Sequence, residues 1–155
     1  MGPVVISLLI TIWFCEERRE LVNIIAVDPG SHKVGVAVVS STPEILYKSV
    51  SSRDACNDLI SGLIHEFNVE VVVLGNGTCS KEIREFVETN FPKVHLEVVD
   101  ETETSRFARE RYLKENPPKG IGRLVPMGLR TPSEHYDDYV AVILAERYLR
   151  TGNLS

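Results

Sequence analysis

The sequence has few of the features that identify a class of protein at once. It contains only three cysteines in 155 residues, Cys15, Cys56 and Cys79, and no pair of them has a zinc-binding spacing. An odd number of scattered cysteines indicates reduced thiols, which favours a cytoplasmic location over a secreted, disulfide-rich protein. No internal repeat or low-complexity tract is present, which argues against a repeat architecture.

Positive charge is also scarce. The chain has 17 Lys and Arg residues against 22 Asp and Glu residues, a net charge of -5. A protein with this balance does not coat nucleic acid by bulk charge. If it binds an acidic polymer, it needs a local basic patch or bridging cations. The remaining composition, 43% hydrophobic and 25% charged, is that of an ordinary globular chain whose length suits one domain.

The N-terminal apolar run, "PVVISLLITIWFC" at residues 3–15, is too short for a membrane-spanning helix, which needs about 20 residues. No Lys or Arg precedes it, and "EERRE" follows where a signal peptide has small residues. Three interpretations stay open: a covering strand or helix, a weak membrane or partner contact, or an upstream extension from a misplaced start codon. We favour the last, because the patterned domain begins at Leu21. We therefore divide the chain into an N-terminal apolar extension, 1–22, and one domain, 23–150, and expect no stable membrane insertion.

Hydrophobic periodicity predicts an α/β domain with a five-stranded mixed sheet and flanking helices. Three strands joined by short loops predict an antiparallel meander, and alternating strands and helices predict a parallel section beside it. A helical stripe follows the meander, and a closing helix is expected to start near Ser133, after a loop at 115–133. The order is βββαβαβα plus the closing helix. The expected strands are 23–29, 33–40, 44–50, 69–77 and 94–100, and the stripe consists of Ala55, Leu59, Leu63, Ile64 and Phe67.

Acidic residues recur where predicted elements begin or end. Asp28 ends the first strand, Asp100 and Glu101 follow the fifth, and Asp137 and Asp138 open the last helix. Each alone has an ordinary interpretation, as a turn former, a helix cap or a partner of the helix dipole. Converging carboxylates repel one another unless cations neutralise them, and hard oxygen ligands favour Mg²⁺ or Mn²⁺. Together the positions predict a metal site, and two such ions would suit phosphodiester cleavage by activated water.

The last helix leaves the choice between its two acids open. Asp138 shares a face with Ala141 and Ala145, whose small side chains would let the helix approach the sheet closely. Asp137 shares a face with Ala141 and Leu144, so this geometry does not exclude it.

Four segments taken in order resemble the motifs of the YqgF/RuvX family. They are "AVDPGSHKVGVAVVS", "VVVLGNGT", "VVDETETS" and "DDYVAVILAERYL", and the likeness covers about residues 23–150. Members of that family are pre-16S rRNA processing nucleases, also described as Holliday junction resolvase-like, with an RNase H-like fold. The resemblance implies that Asp28, Glu101 and Asp138 are catalytic, metal-binding carboxylates for Mg²⁺ or Mn²⁺. It also implies that the protein, a monomer or homodimer, acts on structured RNA such as ribosomal RNA precursor, in contact with pre-ribosomal particles.

The chain also departs from the family pattern. Thr102 and Glu103 follow Glu101 where the family usually has a basic residue, and "GNGTCSKE" is closer to the YqgF-like domain of the transcription accessory protein Tex. Tex binds nucleic acid with an incomplete acidic set, so a non-catalytic binding module is one alternative. A Holliday junction resolvase is another, which requires a dimer and usually a fourth acid. His135, one turn before Asp138, is either a ligand or general base or a surface residue.

Three segments are candidates for contact with nucleic acid. The turn after Asp28 offers small and basic residues, the "GNGT" segment precedes a helix N-terminus that favours phosphate, and the loop before the last helix is basic. The simpler interpretation is that Gly30 only makes the turn and that the charged loop is solvated. The candidates are Gly30, Ser31, Lys33, Asn76, Thr78, Lys119, Arg123 and Arg130.

Overall fold

The computed structural model of the protein describes residues 21–130, 132 and 135–151. The predicted N-terminal extension therefore lies outside the described residues, except for Leu21 and Val22, and so does Ser133. Within the described ranges, no helix is both long and apolar enough to cross a membrane.

The elements follow the predicted order. Ser52 caps the first helix through its hydroxyl, which accepts a hydrogen bond from the N–H of Ala55. Two short 3₁₀ helices, Gly120–Leu124 and Met127–Leu129, occupy the loop before the last helix. The strands are β1 (Asn23–Pro29), β2 (Lys33–Ser40), β3 (Ile45–Ser52), β4 (Val69–Gly75) and β5 (His95–Val99), and the helices are α1 (Arg53–Glu66), α2 (Ser80–Asn90), α3 (Thr104–Glu115) and α4 (Asp137–Arg150).

The five strands form one mixed sheet in the order β3-β2-β1-β4-β5. β1, β2 and β3 pair antiparallel, whereas β4 pairs parallel with both β1 and β5. The carboxyl ends of β1, β4 and β5 therefore meet at one edge of the sheet, where β2 begins. Asp28 lies at this edge, directly opposite Gly35 of β2. The predicted α/β class and five-stranded mixed sheet are confirmed.

Helices cover both faces of the sheet. Successive strand residues point to opposite faces. Ile24 and Ala26 of β1 pack in the core beneath α3 and α4, and Ile25 and Val27 pack in the core beneath α1 and α2. By the same alternation, Asp28 belongs to the α3–α4 face. Strands covered on both sides read as continuous apolar runs, which explains "VVVL" in β4.

Two details of the helix predictions were wrong. The last helix begins at Asp137, and residues 135 and 136 are not helical. Its first turn packs against Gly35, so a tertiary contact sets the start. In α1 the buried stripe includes Cys56 and Ile60, and Ala55 is exposed. Leu63 and Ile64 are buried as expected.

Candidate active site

Asp28 and Glu101 meet at the edge of the sheet where β1, β4 and β5 end. Asp28 is the penultimate residue of β1, and Glu101 lies two residues beyond β5. Both are half-buried. The two carboxyl groups interact, since the charge of Glu101 is one cause of the raised pKa of Asp28.

Backbone and side-chain contacts fix the turn that presents Glu101. The buried Thr104 hydroxyl donates to the Glu101 carbonyl oxygen over 2.6 Å. Arg147, from α4, donates to the carbonyl oxygens of Asp100 and Thr102 over 3.0 Å each. Glu103 follows in the left-handed region, at φ 64°. The turn is therefore held by α3 and α4 and not by the loop alone.

The glycines of the "LGNG" segment make room for the Glu101 side chain. A β-carbon on Gly75 would overlap the Glu101 carboxylate, and one on Gly77 would come within 3.3 Å of it. The Gly77 N–H donates to Glu101 Oε1 over 3.2 Å, and the side-chain oxygen of Asn76 accepts from the Glu101 N–H at 3.4 Å. Both positions therefore suit glycine, because the Glu101 carboxylate lies too close to leave room for a side chain.

The environment of Asp28 favours its protonated form when no cation is bound. Burial, together with the negative charges of Glu101 and Asp137, raises the pKa of Asp28 from 3.8 to about 7. Burial also raises the pKa of Glu101, against the opposing hydrogen bonds from Gly77 and Asp28.

The negative charge of Asp137, the first residue of α4, is one of the causes of the raised pKa of Asp28. The α4 N-terminus approaches β2 closely, because a β-carbon on Gly35 would overlap the Asp137 carbonyl oxygen. Gly35 lies opposite Asp28, so the helix reaches the sheet directly beside the Asp28–Glu101 pair.

Asp138 has a different partner. Its carboxylate forms an ion pair with Lys48 of β3 at 3.4 Å, and its side chain is only 15% exposed. The same ammonium group lies 3.3 Å from the centre of the Tyr139 ring, a cation–π contact. The role of Asp138 as a metal ligand stays a prediction, and the choice between Asp137 and Asp138 stays open.

The donor chemistry at this edge fits a hard divalent cation. Mg²⁺ is usually held by one or two carboxylates and keeps several waters, which matches the Asp28–Glu101 pair. No group of three or more His, Cys, Asp or Glu side chains among the described residues is arranged to hold a metal. Asp100 is not a member of the pair, since its exposed carboxylate accepts from Thr102, which lowers the pKa of Asp100.

Comparison with known proteins agrees with this architecture. The sequence profile of the Tex protein YqgF-like domain matches residues 22–119. The chain belongs to this family. The match includes Asp28 and Glu101 and ends before α4. No curated protein sequence matches the chain.

Solved structures place the YqgF-like domain in a known fold. The fowlpox virus resolvase, in complex with Holliday junction DNA, superposes with a TM-score of 0.57 at 15% identity. The alignment covers 83% of this chain and 97% of that one. RuvC from Thermus thermophilus aligns over 84% and 96% of the two chains at 12% identity, with a TM-score of 0.49. The likeness to the fowlpox virus resolvase confirms the expected RNase H-like fold.

The predicted nucleic-acid contacts fall on three parts of the YqgF-like domain. The turn itself requires glycine at position 30, because a β-carbon on Gly30 would overlap the Lys33 carbonyl oxygen. Ser31 and Lys33 are exposed beside it, and the Ser31 hydroxyl lies 2.9 Å from His32 Nδ1. Thr78 and Asn76 are exposed ahead of α2, whose first N–H groups receive no side-chain cap. The contacts themselves stay predictions.

Some basic residues of the loop are exposed, and one forms hydrogen bonds within the loop. Lys119 and Arg123 are exposed. Arg130 is half-buried, and its guanidinium donates to the carbonyl oxygens of Val125 and Arg123 over 2.7 and 3.0 Å. His135 is exposed, which favours its interpretation as a surface residue.

Sequence reasoning missed four residues that shape the site. Gly35 had a usable signal, because glycine inside a strand often marks a close backbone approach. Lys48 and Arg147 had none, since each acts through its side chain on a residue distant in the chain. Thr104 acts on the Glu101 carbonyl oxygen only three residues before it, but a threonine at that spacing does not by itself indicate a site.

Proposed function

We propose that this YqgF-like domain is a metal-dependent endonuclease that hydrolyses phosphodiester bonds in structured nucleic acid. The observation that carries the proposal is the half-buried Asp28–Glu101 pair at the carboxyl ends of three strands, where burial and neighbouring negative charge raise the pKa of Asp28. Carboxylates held this close repel one another, which lowers the stability of the domain, and a bound cation would reduce that repulsion.

Asp28 and Glu101 would hold Mg²⁺ or Mn²⁺, with a carboxylate from the start of α4. The resemblance gives Asp138 this role, and the contact with Asp28 gives it to Asp137. A bound cation would lower the pKa of its water and stabilise the leaving oxygen. The protein's own contribution is to keep both carboxylates oriented through Thr104, Gly77 and Arg147.

Ribosomal RNA precursor is the substrate that we propose from the resemblance to the YqgF/RuvX family. A four-way DNA junction is the second candidate, because the fowlpox virus enzyme of similar fold is a resolvase that binds one. Exposed Lys33, Thr78 and Lys119 would contact phosphates around the carboxylate pair. We expect the protein to act in the cytoplasm.

A non-catalytic binding module is the competing function, and the match to the Tex domain supports it. The nuclease and the binding module predict different results in one measurement, the cleavage of labelled RNA and of four-way DNA junctions with Mn²⁺. We compare the wild-type protein with Asp28→Asn and with Asp58→Asn, an exposed α1 aspartate.

Metal-dependent cleavage that is lost in Asp28→Asn and kept in Asp58→Asn would support the nuclease. The preferred substrate then separates RNA processing from junction resolution. Binding without cleavage, equal in all three proteins, would establish the binding module instead.

A further inference from the structure

The loop between α3 and α4 exposes several large apolar side chains to solvent. Ile121 is 84% exposed, Leu124 82% and Leu129 75%. Val125 and Met127, from the same nine-residue stretch, are also exposed. Single exposed apolar residues need no explanation, but five in one loop mark a binding surface.

This loop, residues 116–130, is held in shape by arginines. Arg130 donates to the carbonyl oxygens of Val125 and Arg123, and Arg109 of α3 donates to those of Gly128 and Arg130. These bonds brace the two 3₁₀ helices that carry the apolar side chains. The surface is therefore preorganised, which lowers the entropic cost of binding.

The charge of the loop is opposite to that of the chain. It contains Lys119, Arg123 and Arg130 and no acidic residue, in a protein with a net charge of -5. Lys119 and Arg123 are exposed on either side of Ile121. A surface that alternates apolar and basic side chains is complementary to nucleic acid, where base faces alternate with phosphates.

The position of the loop ties it to the carboxylate pair. Its first residue, Asn116, donates to the Tyr139 hydroxyl in the first turn of α4 over 3.3 Å. The same turn lies against Gly35, which pairs with Asp28.

We propose that this loop is a wedge that binds unstacked bases of the substrate, with Ile121 and Leu124 against the bases and Lys119 and Arg123 on the adjoining phosphates. The inference rests on the proposed function and names its substrate class: nucleic acid with unpaired bases near the cleavage point, such as a branch, bulge or gap. Inserting apolar side chains into a full duplex costs unstacking energy, whereas unpaired bases cost little. The loop thus selects structure and not sequence.

The test measures binding in EDTA, so that no catalytic step enters. A duplex with one unpaired 2-aminopurine nucleotide and the fully paired duplex are titrated with four proteins: wild type, Ile121→Ser/Leu124→Ser, Lys119→Ala/Arg123→Ala and Leu21→Ser. Leu21 is the matched control, because it is a 62% exposed leucine before β1, at the opposite end of the sheet.

We expect the apolar double variant to bind the bulged duplex about tenfold or more weakly, and the paired duplex as the wild type does. The basic double variant should lose affinity for both, with a shallower salt dependence. Leu21→Ser should match the wild type.

Equal binding of the bulged duplex by wild type and Ile121→Ser/Leu124→Ser would overturn the wedge, whatever the cleavage assay gives. A wild-type dimer that the apolar double variant converts to monomer would overturn it too, since the loop then binds a second copy. If Asp28→Asn abolishes cleavage but binds the bulge as the wild type does, both proposals stand separately.

Discussion

The Gly77 N–H donates to Glu101 Oε1, and the charge of Glu101 is one cause of the raised pKa of Asp28. The hydrogen bond fixes where the Glu101 carboxylate lies, and the raised pKa favours the protonated form of Asp28. A proton on Asp28 offsets part of the negative charge that the two carboxylates bring together.

The first prediction concerns the pH dependence of stability in EDTA. The folded protein binds the Asp28 proton more tightly than the unfolded chain, because the folded pKa is about 7 and the ordinary value is 3.8. Between these values the unfolded chain loses the proton first, so the free energy of unfolding falls as pH rises. Urea unfolding at intervals from about pH 5 to pH 8 measures this slope.

Asp28→Asn is the control, since asparagine does not titrate. We expect a smaller decline with pH in this variant than in the wild type, and Mg²⁺ should restore stability to the wild type alone at about pH 8. Identical slopes for the two proteins would show that Asp28 is not the group that stores the proton.

The second prediction separates the two acids of α4. Asp137→Asn should reduce Mn²⁺ affinity and cleavage by about 100-fold or more, because it removes the charge that faces Asp28. Asp138→Asn should leave Mn²⁺ affinity close to that of the wild type and cost about 1–3 kcal/mol of stability, because it leaves the half-buried Lys48 without its partner. Calorimetric titration with Mn²⁺ and urea unfolding measure the two effects.

The reverse result would establish the ligand that the resemblance implies. If Asp138→Asn loses Mn²⁺ binding and Asp137→Asn keeps it, the Lys48–Asp138 ion pair must open when the metal binds. Asp137 would then interact only with the dipole of helix α4.

The sheet could be predicted because strand signals in this chain are local. β1, β2 and β4 are apolar runs bounded by turn residues, and the structure places them within two residues of the expected bounds. The start of α4 could not be predicted, since the contact between Gly35 and Asp137 sets it over a long sequence separation.

For the candidate site, the sequence could predict only that acidic residues lie at the ends of strands and at the start of the last helix. Asp28 lies at the end of β1 and Glu101 follows β5, and the carboxyl ends of these strands share an edge, a relationship that topology alone provides. The choice between Asp137 and Asp138 depends on helix rotation and on Lys48, whose side chain reaches α4 from β3. No local pattern contains that information.

The third prediction uses two glycines in different surroundings. Gly35→Ala should cost about 1–3 kcal/mol of stability, because the new methyl group would overlap the Asp137 carbonyl oxygen and displace the start of α4. Gly62→Ala should stabilise the protein by about 0.5–1 kcal/mol, since nothing lies within 4 Å of that position in α1 and alanine favours a helix. Urea unfolding of both variants checks the pair, and a neutral Gly35→Ala would mean that α4 does not approach β2 this closely.

The fourth prediction tests whether the turn after β5 positions Glu101. Thr104→Val keeps the shape of a fully buried side chain and removes the hydroxyl that donates to the Glu101 carbonyl oxygen. We expect the variant to fold, with a loss of about 1 kcal/mol or more from the missing hydrogen bond. Mn²⁺ affinity should fall about 10–100-fold, as for other residues that orient a ligand.

Thr42→Val is the matched control for that loss. Its hydroxyl lies 3.0 Å from the Ser40 hydroxyl in the β2–β3 connection, at the opposite end of the sheet from Glu101. It should change stability slightly and leave the Mn²⁺ titration unaltered. A role of Thr104 in folding alone predicts reduced stability with wild-type Mn²⁺ affinity, whereas a positioning role predicts that both fall, because the carboxylate then has to be reoriented each time the cation binds.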